Sequence, residues 1–170
     1  LLRDHMEAKR PIRRWKGAVR MDITQTFYDN LASHYDKLFL DWQSTTHEQA
    51  VILNDLFHEN GFDKTANILD CACGIGTQAI GLATLGYSVT ASDISDGEIE
   101  EAKERAAKNH VKIPFKHADF CALAEAFSEQ FDIVICMDNA LPHMLSKDAL
   151  EAAVKSITNQ IVPGGMFVAS

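Results

Sequence analysis

The sequence predicts a three-layer α/β fold with right-handed crossovers around a mostly parallel sheet. Three observations support this prediction. Short apolar runs alternate with longer segments in which apolar residues recur at helical spacing. A glycine-containing turn at residues 67–77 joins an apolar run to a helical pattern. A later run, residues 131–137, is almost continuously apolar, as is typical of a parallel strand covered on both faces.

The segment before the glycine turn is predicted to form two helices. From Thr24 onward, one amphipathic face is formed by Phe27, Leu31, Tyr35, Leu38 and Phe39. A second helix is predicted from about Thr45 to Glu59, and the pair Asn60-Gly61 is a suitable C-cap for it. The residues expected to face inward on this second helix are Ala50, Val51, Leu53, Leu56 and Phe57.

Residues 67–77 read as a strand, a tight glycine turn and the start of a helix. Such a turn brings bare backbone amides and a helix N-terminus close to a ligand. Residues 74–79 also satisfy the dinucleotide pattern G-x-G-x-x-G/A. On the glycines alone, a turn that binds no nucleotide remains an alternative.

Two acidic residues narrow the choice of ligand. Asp70 ends the first strand, just ahead of the glycines. Asp93 follows the next strand, residues 87–92, and lies where an acid binds a ribose diol.

The second half of the chain continues the alternation. A capping box at residues 95–98 opens a helix that runs to about Lys108, with Glu100, Glu101, Lys103, Glu104 and Arg105 on its exposed face. A third strand, residues 114–118, ends at Asp119-Phe120.

The fourth predicted strand, residues 131–137, leads into a loop at residues 138–145. Ligands of open parallel sheets bind beyond the carboxyl ends of strands, so this loop is expected to line the site. Ser146 caps a helix of about residues 147–160, a turn is predicted at 163–165, and a fifth strand begins at Met166.

Composition is that of an ordinary globular domain, with 46% hydrophobic and 24% charged residues in a chain of 170. The four cysteines lie in or beside apolar strand-like runs, which predicts buried, reduced thiols in a cytoplasmic protein. The spacing Cys71-x-Cys73 is not that of a zinc site, so no metal is expected. No run approaches the roughly 20 apolar residues of a membrane span, and no secretory signal is visible.

Charge is unevenly distributed along the chain. Residues 1–20 carry a net charge of +5, and the remainder carries −13, which makes nucleic acid an unsuitable partner for the main body. The basic start is open to an interpretation as an RNA-binding or membrane-binding arm. Because the chain begins at Leu1 and Met21 resembles a natural start, we expect residues 1–20 to be an extension outside the fold.

Residues 68–76, Ile-Leu-Asp-Cys-Ala-Cys-Gly-Ile-Gly, resemble the first motif of class I S-adenosylmethionine-dependent methyltransferases, with Ala72 in place of its first glycine. The resemblance runs from about Ile23 to the last residue. It implies an enzyme (EC 2.1.1.-) with a Rossmann-like methyltransferase fold, in which residues 21–62 form a helical lid and residues 63–170 the cofactor-binding domain. The family continues past the fifth strand with a helix and two more strands, so we expect strand five to be an exposed edge here or to be paired by another chain.

The resemblance also implies the residues that contact S-adenosylmethionine. The glycine turn and Asp70 would hold the methionine part, Asp93 the ribose, and the Asp119-Phe120 pair the adenine. An aromatic ring such as that of Tyr28 would favour the positive sulfonium. The full set of implied cofactor contacts is Tyr28, Asp70, Ala72, Cys73, Gly74, Gly76, Thr77, Asp93, Ile94, Asp119, Phe120 and Met137.

Residues 70–78 and 138–143 are similar to the glycine/sarcosine N-methyltransferase group. This closer likeness implies that Asn139 helps to hold an amino-acid substrate. His143 lies on the same loop and is the second residue expected on the substrate side, mainly as a structural residue. A catalytic base is the alternative role for His143, because the reference pKa of histidine lies near neutrality. Members of the group carry an arginine for a carboxylate in the second N-terminal helix, which residues 44–50 lack. The missing arginine argues against glycine itself, so the expected substrate is a small molecule, for example an amine or another amino acid.

Two other classes of function remain open. The same turn would serve an NAD-dependent oxidoreductase, although Asp70 would then face a pyrophosphate. A non-catalytic methyltransferase-like binding module is the second alternative. No Ser/His/Asp order or H-E-x-x-H pattern indicates a hydrolase, and nothing in the sequence indicates an oligomeric state.

Overall fold

The computed structural model describes residue 26 and residues 41–170. Thr26 is helical. The rest of the helix predicted from Thr24 lies outside the described residues, as do the basic segment 1–20 and Tyr28.

The described residues form a central sheet of five parallel strands in the order β3-β2-β1-β4-β5. The chain builds outward from β1 to β3 and then returns to the other side of β1, which makes the β1/β4 boundary the topological switch point. This confirms the predicted mostly parallel sheet. The strands are β1 (Asn67–Asp70), β2 (Ser88–Asp93), β3 (Phe115–His117), β4 (Phe131–Cys136) and β5 (Ile161–Ala169).

Residues 41–170 contain four α-helices, and three of them begin after a residue whose side chain accepts a hydrogen bond from an amide of the first turn. Ser95 accepts from the amide of Glu98 at 3.1 Å, and Ser146 accepts from that of Ala149 at 3.1 Å, as predicted. Asp41 caps the helix that was predicted from about Thr45. This helix therefore begins at Trp42, three residues earlier than expected. The helices are α1 (Trp42–Glu59), α2 (Thr77–Thr84), α3 (Asp96–Lys108) and α4 (Lys147–Asn159).

The sheet is covered on both faces, which confirms the three layers. On one face α1 and α2 pack against the strands through a cluster that includes Leu53, Phe57, Ile68, Leu82 and Ile135. On the other face α4 and a 3-10 turn at Leu123–Glu125 contribute to a cluster that includes Leu69, Leu123, Phe131, Val134 and Ile157. Apolar residues therefore alternate between the faces along β1 and, from Ile133 onward, along β4, as a sheet with period two requires.

The predicted inner face of α1 was partly wrong. Val51 is exposed, whereas Thr46 is buried on the same stripe as Ala50, Leu53 and Phe57. These four buried residues are spaced at i, i+4, i+7 and i+11, and Val51 lies about 100° around the helix from Ala50. Val51 was predicted to face inward because it is apolar, although the helical period turns it toward solvent.

The turn predicted at residues 163–165 is part of β5 rather than a break before it. Phe131 pairs with Ile161, and Ile133 pairs with Met166, so β5 carries three extra residues between the two pairs. Gly164 at φ +85° lets the chain bulge outward without steric cost. Within the described residues β5 pairs with β4 alone, so it forms an edge of the sheet as predicted.

A glycine sets the distance between α1 and α2. A Cβ atom on Gly81 would lie 2.7 Å from the carbonyl oxygen of Thr46 and 2.8 Å from the Cβ of Ala50. The two helices can therefore approach this closely only with a hydrogen atom at position 81.

We expect Gly81→Ala to lower the free energy of unfolding by about 1–3 kcal/mol, because the helices must separate to admit the methyl group. Chemical denaturation followed by circular dichroism would measure this. The matched control is Gly61→Asn, since position 61 has open space and a left-handed backbone that asparagine tolerates. Equal losses in both variants would contradict the close-contact explanation.

Candidate functional site

Acidic residues gather where the carboxyl ends of β1, β2 and β4 meet. Asp70 is the last residue of β1, Asp93 is the last of β2, and Asp138 lies two residues past β4. The charges of Asp93 and Asp138 both raise the pKa of Asp70, although burial raises it most. The three carboxyl groups therefore form one electrostatic cluster at the switch point of the sheet.

The glycine turn after β1 is fixed by backbone hydrogen bonds to its own residues and to β2. The amide of Cys73 donates to the carbonyl of Ser92 at 3.0 Å, and that of Gly76 donates to the carbonyl of Cys73 at 2.8 Å. Gly74 and Gly76 have φ values of +51° and +89°, which favour glycine. A Cβ atom on Gly76 would also lie 2.9 Å from the Cδ1 of Ile80.

Asp93 connects the glycine turn to the beginning of α3. Its Oδ2 accepts from the amide of Gly74 at 2.9 Å, and its Oδ1 accepts from that of Ser95 at 3.0 Å. Burial raises the pKa of this carboxyl, while the amides of Ser95 and Gly74 oppose the shift. The sequence predicted only a ribose contact for Asp93, and its role in holding the turn was missed.

Asp70 is fully buried, and its carboxyl is incompletely paired. Its Oδ1 accepts from the amide of Ala72 at 3.5 Å, whereas Oδ2 is buried without a hydrogen bond of good geometry among the described residues, although the backbone amide of Ala79 lies near enough to lower the pKa of the carboxyl. Burial, together with the nearby acids, raises the pKa of Asp70 to about 8. A buried acceptor of this kind suits a cationic donor group on a ligand.

Trp42 joins the start of α1 to the glycine turn. Its indole Nε1 donates to the Oγ1 of Thr77 at 3.1 Å, and the guanidinium of Arg105 lies 4.7 Å from the centre of its ring. Arg105 also pairs with Glu101 at 2.7 Å, and only 12% of its side chain is exposed. Only 20% of the Glu101 side chain is exposed, and the ring of Trp42 lies against the guanidinium of Arg105, so the prediction that these two residues lie on an exposed helix face was wrong.

Gln78 joins three elements through one side-chain amide. Its Nε2 donates to the Oε1 of Gln49 on α1 at 2.7 Å and to the Oδ2 of Asp138 at 3.0 Å. Neither Gln78 nor Asp138 was among the predicted site residues. No local pattern marks Gln78 as a site residue. The one available signal was its position two residues after the second glycine of the turn.

The remaining predicted contacts follow the strand ends as expected from sequence. Ile94 comes after β2, and Met137 comes after β4. Asp119 follows β3 by two residues and accepts from the amide of Cys121 at 2.8 Å. The adenine contact of Asp119 and Phe120 stays a prediction.

The predicted substrate residues lie on the loop after β4. Asn139 is exposed, with φ +64°, and its amide donates to the carbonyl of Ser170 at 3.1 Å. His143 is exposed and ends a 3-10 turn, with its amide donating to the carbonyl of Ala140 at 3.2 Å. The structure thus brings both residues to the carboxyl edge of the sheet that carries the acidic cluster.

The cysteines are free thiols, as predicted, although only three are fully buried. Burial raises the pKa of Cys73, and Cys121, which is half-buried, has its pKa raised to about 12. Across residues 41–170 no group of His, Cys, Asp and Glu side chains is arranged to hold a metal ion. No helix in this part of the chain is long and apolar enough to cross a membrane.

Comparison with known proteins gives a consistent result. Residues 68–165 match the family model described as "Methyltransferase domain". The chain is similar to glycine N-methyltransferase of Rattus norvegicus, with 30% identity over 166 residues, covering 89% of this chain and 55% of that protein. It is also similar to a ubiquinone biosynthesis O-methyltransferase of Dinoroseobacter shibae, with 34% identity over 116 residues, covering 68% and 44%.

A solved structure has the same fold. The S-adenosylmethionine-dependent methyltransferase from Clostridium acetobutylicum superposes with a TM-score of 0.67 and 24% identity, covering 84% of this chain and 56% of that one. The chain spans about half the length of the curated relatives it matches.

The raised pKa of Asp70 gives a pH-dependent stability. The folded protein binds this proton more tightly than the unfolded chain, so Asp70 lowers stability progressively as the pH rises from about 4 to about 8. We expect Asp70→Asn to raise the melting temperature by a few degrees at pH 8 and to give little gain near pH 4.

Thermal unfolding without added ligand, measured across this pH range, tests the expectation. Asp55→Asn, on the exposed face of α1, serves as the control for the removal of a carboxylate. A gain from Asp70→Asn that is the same at every pH would contradict the assignment.

Proposed function

Because the chain belongs to the class I S-adenosylmethionine-dependent methyltransferases, we propose that it binds S-adenosylmethionine and transfers its methyl group to a small amine or amino acid. The observation that carries this proposal is the acidic cluster around the incompletely paired carboxyl of Asp70. S-adenosylmethionine presents a cationic sulfonium and an ammonium group, both of which complement such a site.

The same cluster disfavours the NAD-dependent alternative. A dinucleotide would bring a pyrophosphate to the glycine turn, close to Asp70 and Asp93. A negatively charged ligand there would raise the pKa of Asp70 further and would repel the carboxylate of Asp93, because little water screens charges in a buried site. The glycine pattern fits both cofactors, and the charge of the surrounding side chains favours the cationic one.

The residues after β1, β2 and β3 would hold successive parts of the proposed cofactor. The amides of the glycine turn and the carboxyl of Asp70 would hold the methionine part. Thr77, which follows the turn, would contact the same part. Asp93 and Ile94 would contact the ribose, since they follow β2 directly. Asp119 and Phe120 would contact the adenine beyond β3. Ala72, Cys73, Gly74, Gly76 and Met137 would form the adjoining wall.

Methyl transfer depends mainly on the alignment of the methyl donor with the acceptor. When bound, S-adenosylmethionine supplies an electrophilic methyl group on sulfur, which a nucleophile displaces directly. The protein therefore has to hold the acceptor in line and exclude water, and an acceptor that is already neutral needs no base. We assign Asn139 to acceptor positioning, because its amide can both donate and accept hydrogen bonds. His143 is assigned a mainly structural role in the loop.

The proposed acceptor class rests on the loop after β4 and on the relatives. Asn139 matches the substrate asparagine of the group that the sequence resembles, and one similar protein is a glycine N-methyltransferase. A second similar protein is an O-methyltransferase, so an oxygen nucleophile is the alternative acceptor. The free thiols suit a reducing compartment, and we propose a cytoplasmic location.

Calorimetry with S-adenosylmethionine, S-adenosylhomocysteine and NAD in parallel tests the cofactor. We expect the first two to bind and NAD not to bind. Asp93→Ala should weaken S-adenosylmethionine binding by about 1–3 kcal/mol, because the ribose and the amide of Gly74 both lose an acceptor. The exposed control Asp55→Ala should bind normally. Binding of NAD alone would reject the proposed cofactor.

Steady-state kinetics on the full-length enzyme tests the acceptor residues, with glycine and sarcosine as probes. Asn139→Ala should lower kcat/KM roughly tenfold or more and leave cofactor affinity nearly intact, because positioning is lost while cofactor binding is not. His143→Ala should have a smaller effect. The roles are reversed if Asn139→Ala is silent and His143→Ala abolishes turnover together with one limb of the pH profile.

A further inference from the structure

The buried amide of Gln78 lies between the cofactor side and the acceptor side of the site. Only 2% of this residue is exposed, and it is the second residue of the helix that starts from the glycine turn. Its Nε2 donates to Gln49 on α1 and to the carboxylate of Asp138 on the loop after β4. One donor group therefore contacts two separate elements, 29 residues before it and 60 residues after it.

The loop that receives this hydrogen bond has an unusual backbone. Asp138 and Asn139 are consecutive non-glycine residues with φ values of +55° and +64°. Such residues adopt the left-handed conformation only when surrounding contacts hold them there, although Asp and Asn tolerate it better than most. The backbone amides of the pair donate to the Oγ and the carbonyl oxygen of Ser170, each at 3.1 Å.

The side chain of Asp138 has a different anchor from its backbone. Gln78 binds the carboxylate of Asp138, while Ser170 binds the backbone amides of Asp138 and Asn139. Both the side chain and the backbone of Asp138 are therefore held by hydrogen bonds. Fixing the backbone at Asp138 restricts the direction in which the side chain of Asn139 leaves the chain. The amide of Asn139 is thereby aligned before an acceptor arrives, which lowers the entropic cost of binding it.

We propose that Gln78 is a positioning residue for the methyl acceptor, acting through Asp138 on Asn139. This inference rests on the proposed function, in which Asn139 holds an amine or amino acid. Gln78 does not contact the acceptor itself. Its contribution is to hold the carboxylate of Asp138, and hence the loop, at a fixed distance from the turn that binds the cofactor.

A purely structural role for Gln78 would act through α1 instead. The hydrogen bond to Gln49 joins α1 to α2, and its loss would loosen the packing of these helices without moving the loop after β4. Separate variants distinguish the two partners. Gln49→Leu removes the α1 partner alone, Asp138→Gly removes the loop partner and relieves the backbone, and Gln78→Leu removes both hydrogen bonds.

The experiment compares these variants in the full-length protein, with glycine as the acceptor probe and S-adenosylhomocysteine as the cofactor probe. We expect Gln78→Leu to raise the KM for glycine about tenfold, as lost alignment predicts, while affinity for S-adenosylhomocysteine changes less than about twofold. Hydrogen–deuterium exchange at residues 138–140 should become faster. Gln49→Leu should leave both the KM and this exchange unchanged.

A matched control and a double variant complete the design. Gln160→Leu replaces another buried glutamine, at the C-cap of α4, and should lower stability without changing the KM for glycine. Gln78→Leu combined with Asp138→Gly should be no worse in KM than Asp138→Gly alone, since both changes remove the same hydrogen bond. Additive effects on KM would overturn the proposal that Gln78 acts through Asp138.

The outcomes separate this inference from the proposed function. If the wild-type protein methylates glycine and Gln78→Leu leaves the KM unchanged, the positioning role is rejected while the proposed function stands. If the wild type does not methylate glycine, the proposed acceptor fails, and hydrogen–deuterium exchange alone decides the role of Gln78. In that case, unchanged exchange at residues 138–140 rejects the role, and faster exchange supports it.

Discussion

The hydrogen bond from the Gly74 amide to the Asp93 carboxylate is the contact on which the arrangement of the site depends. It joins the turn after β1 to the end of β2, and the other oxygen of the same carboxylate holds the start of α3. Because α2 begins directly after this turn, its position follows from the same constraint. Thr77 and Gly81 on α2 in turn fix α1, the first through Trp42 and the second through close packing.

The acidic cluster shows how stability and ligand binding oppose each other in this site. Two of its carboxylates are compensated, Asp93 by backbone amides and Asp138 by the amide of Gln78. Asp70 is the exception, since burial and its acidic neighbours raise its pKa to about 8 and its carboxyl is incompletely paired. A folded protein that carries such a group is less stable than it would be with a neutral one. The proposed cationic cofactor would remove that cost when it binds.

The sequence by itself determined the elements whose signals are local. Strands, helices and their caps were predicted because apolar periodicity and the serines at positions 95 and 146 act over a few residues. The meeting of Asp70 and Asp93 was also predictable, because parallel strands bring their carboxyl ends to one edge of the sheet. The glycine turn further supplied the resemblance to a cofactor-binding family, which the comparisons then confirmed.

The tertiary structure decided the contacts made between distant segments. Nothing near Gln78 in the chain indicates that its partners are Gln49 and Asp138, because packing of α1 and the loop after β4 brings them together. Arg105 was assigned to solvent by its charge, although the ring of Trp42 covers it. The bulge in β5 likewise depends on pairing with β4, since only the register shows that residues 162–165 stay within the strand. These features depend on contacts more than 25 residues apart in sequence, which local patterns do not encode.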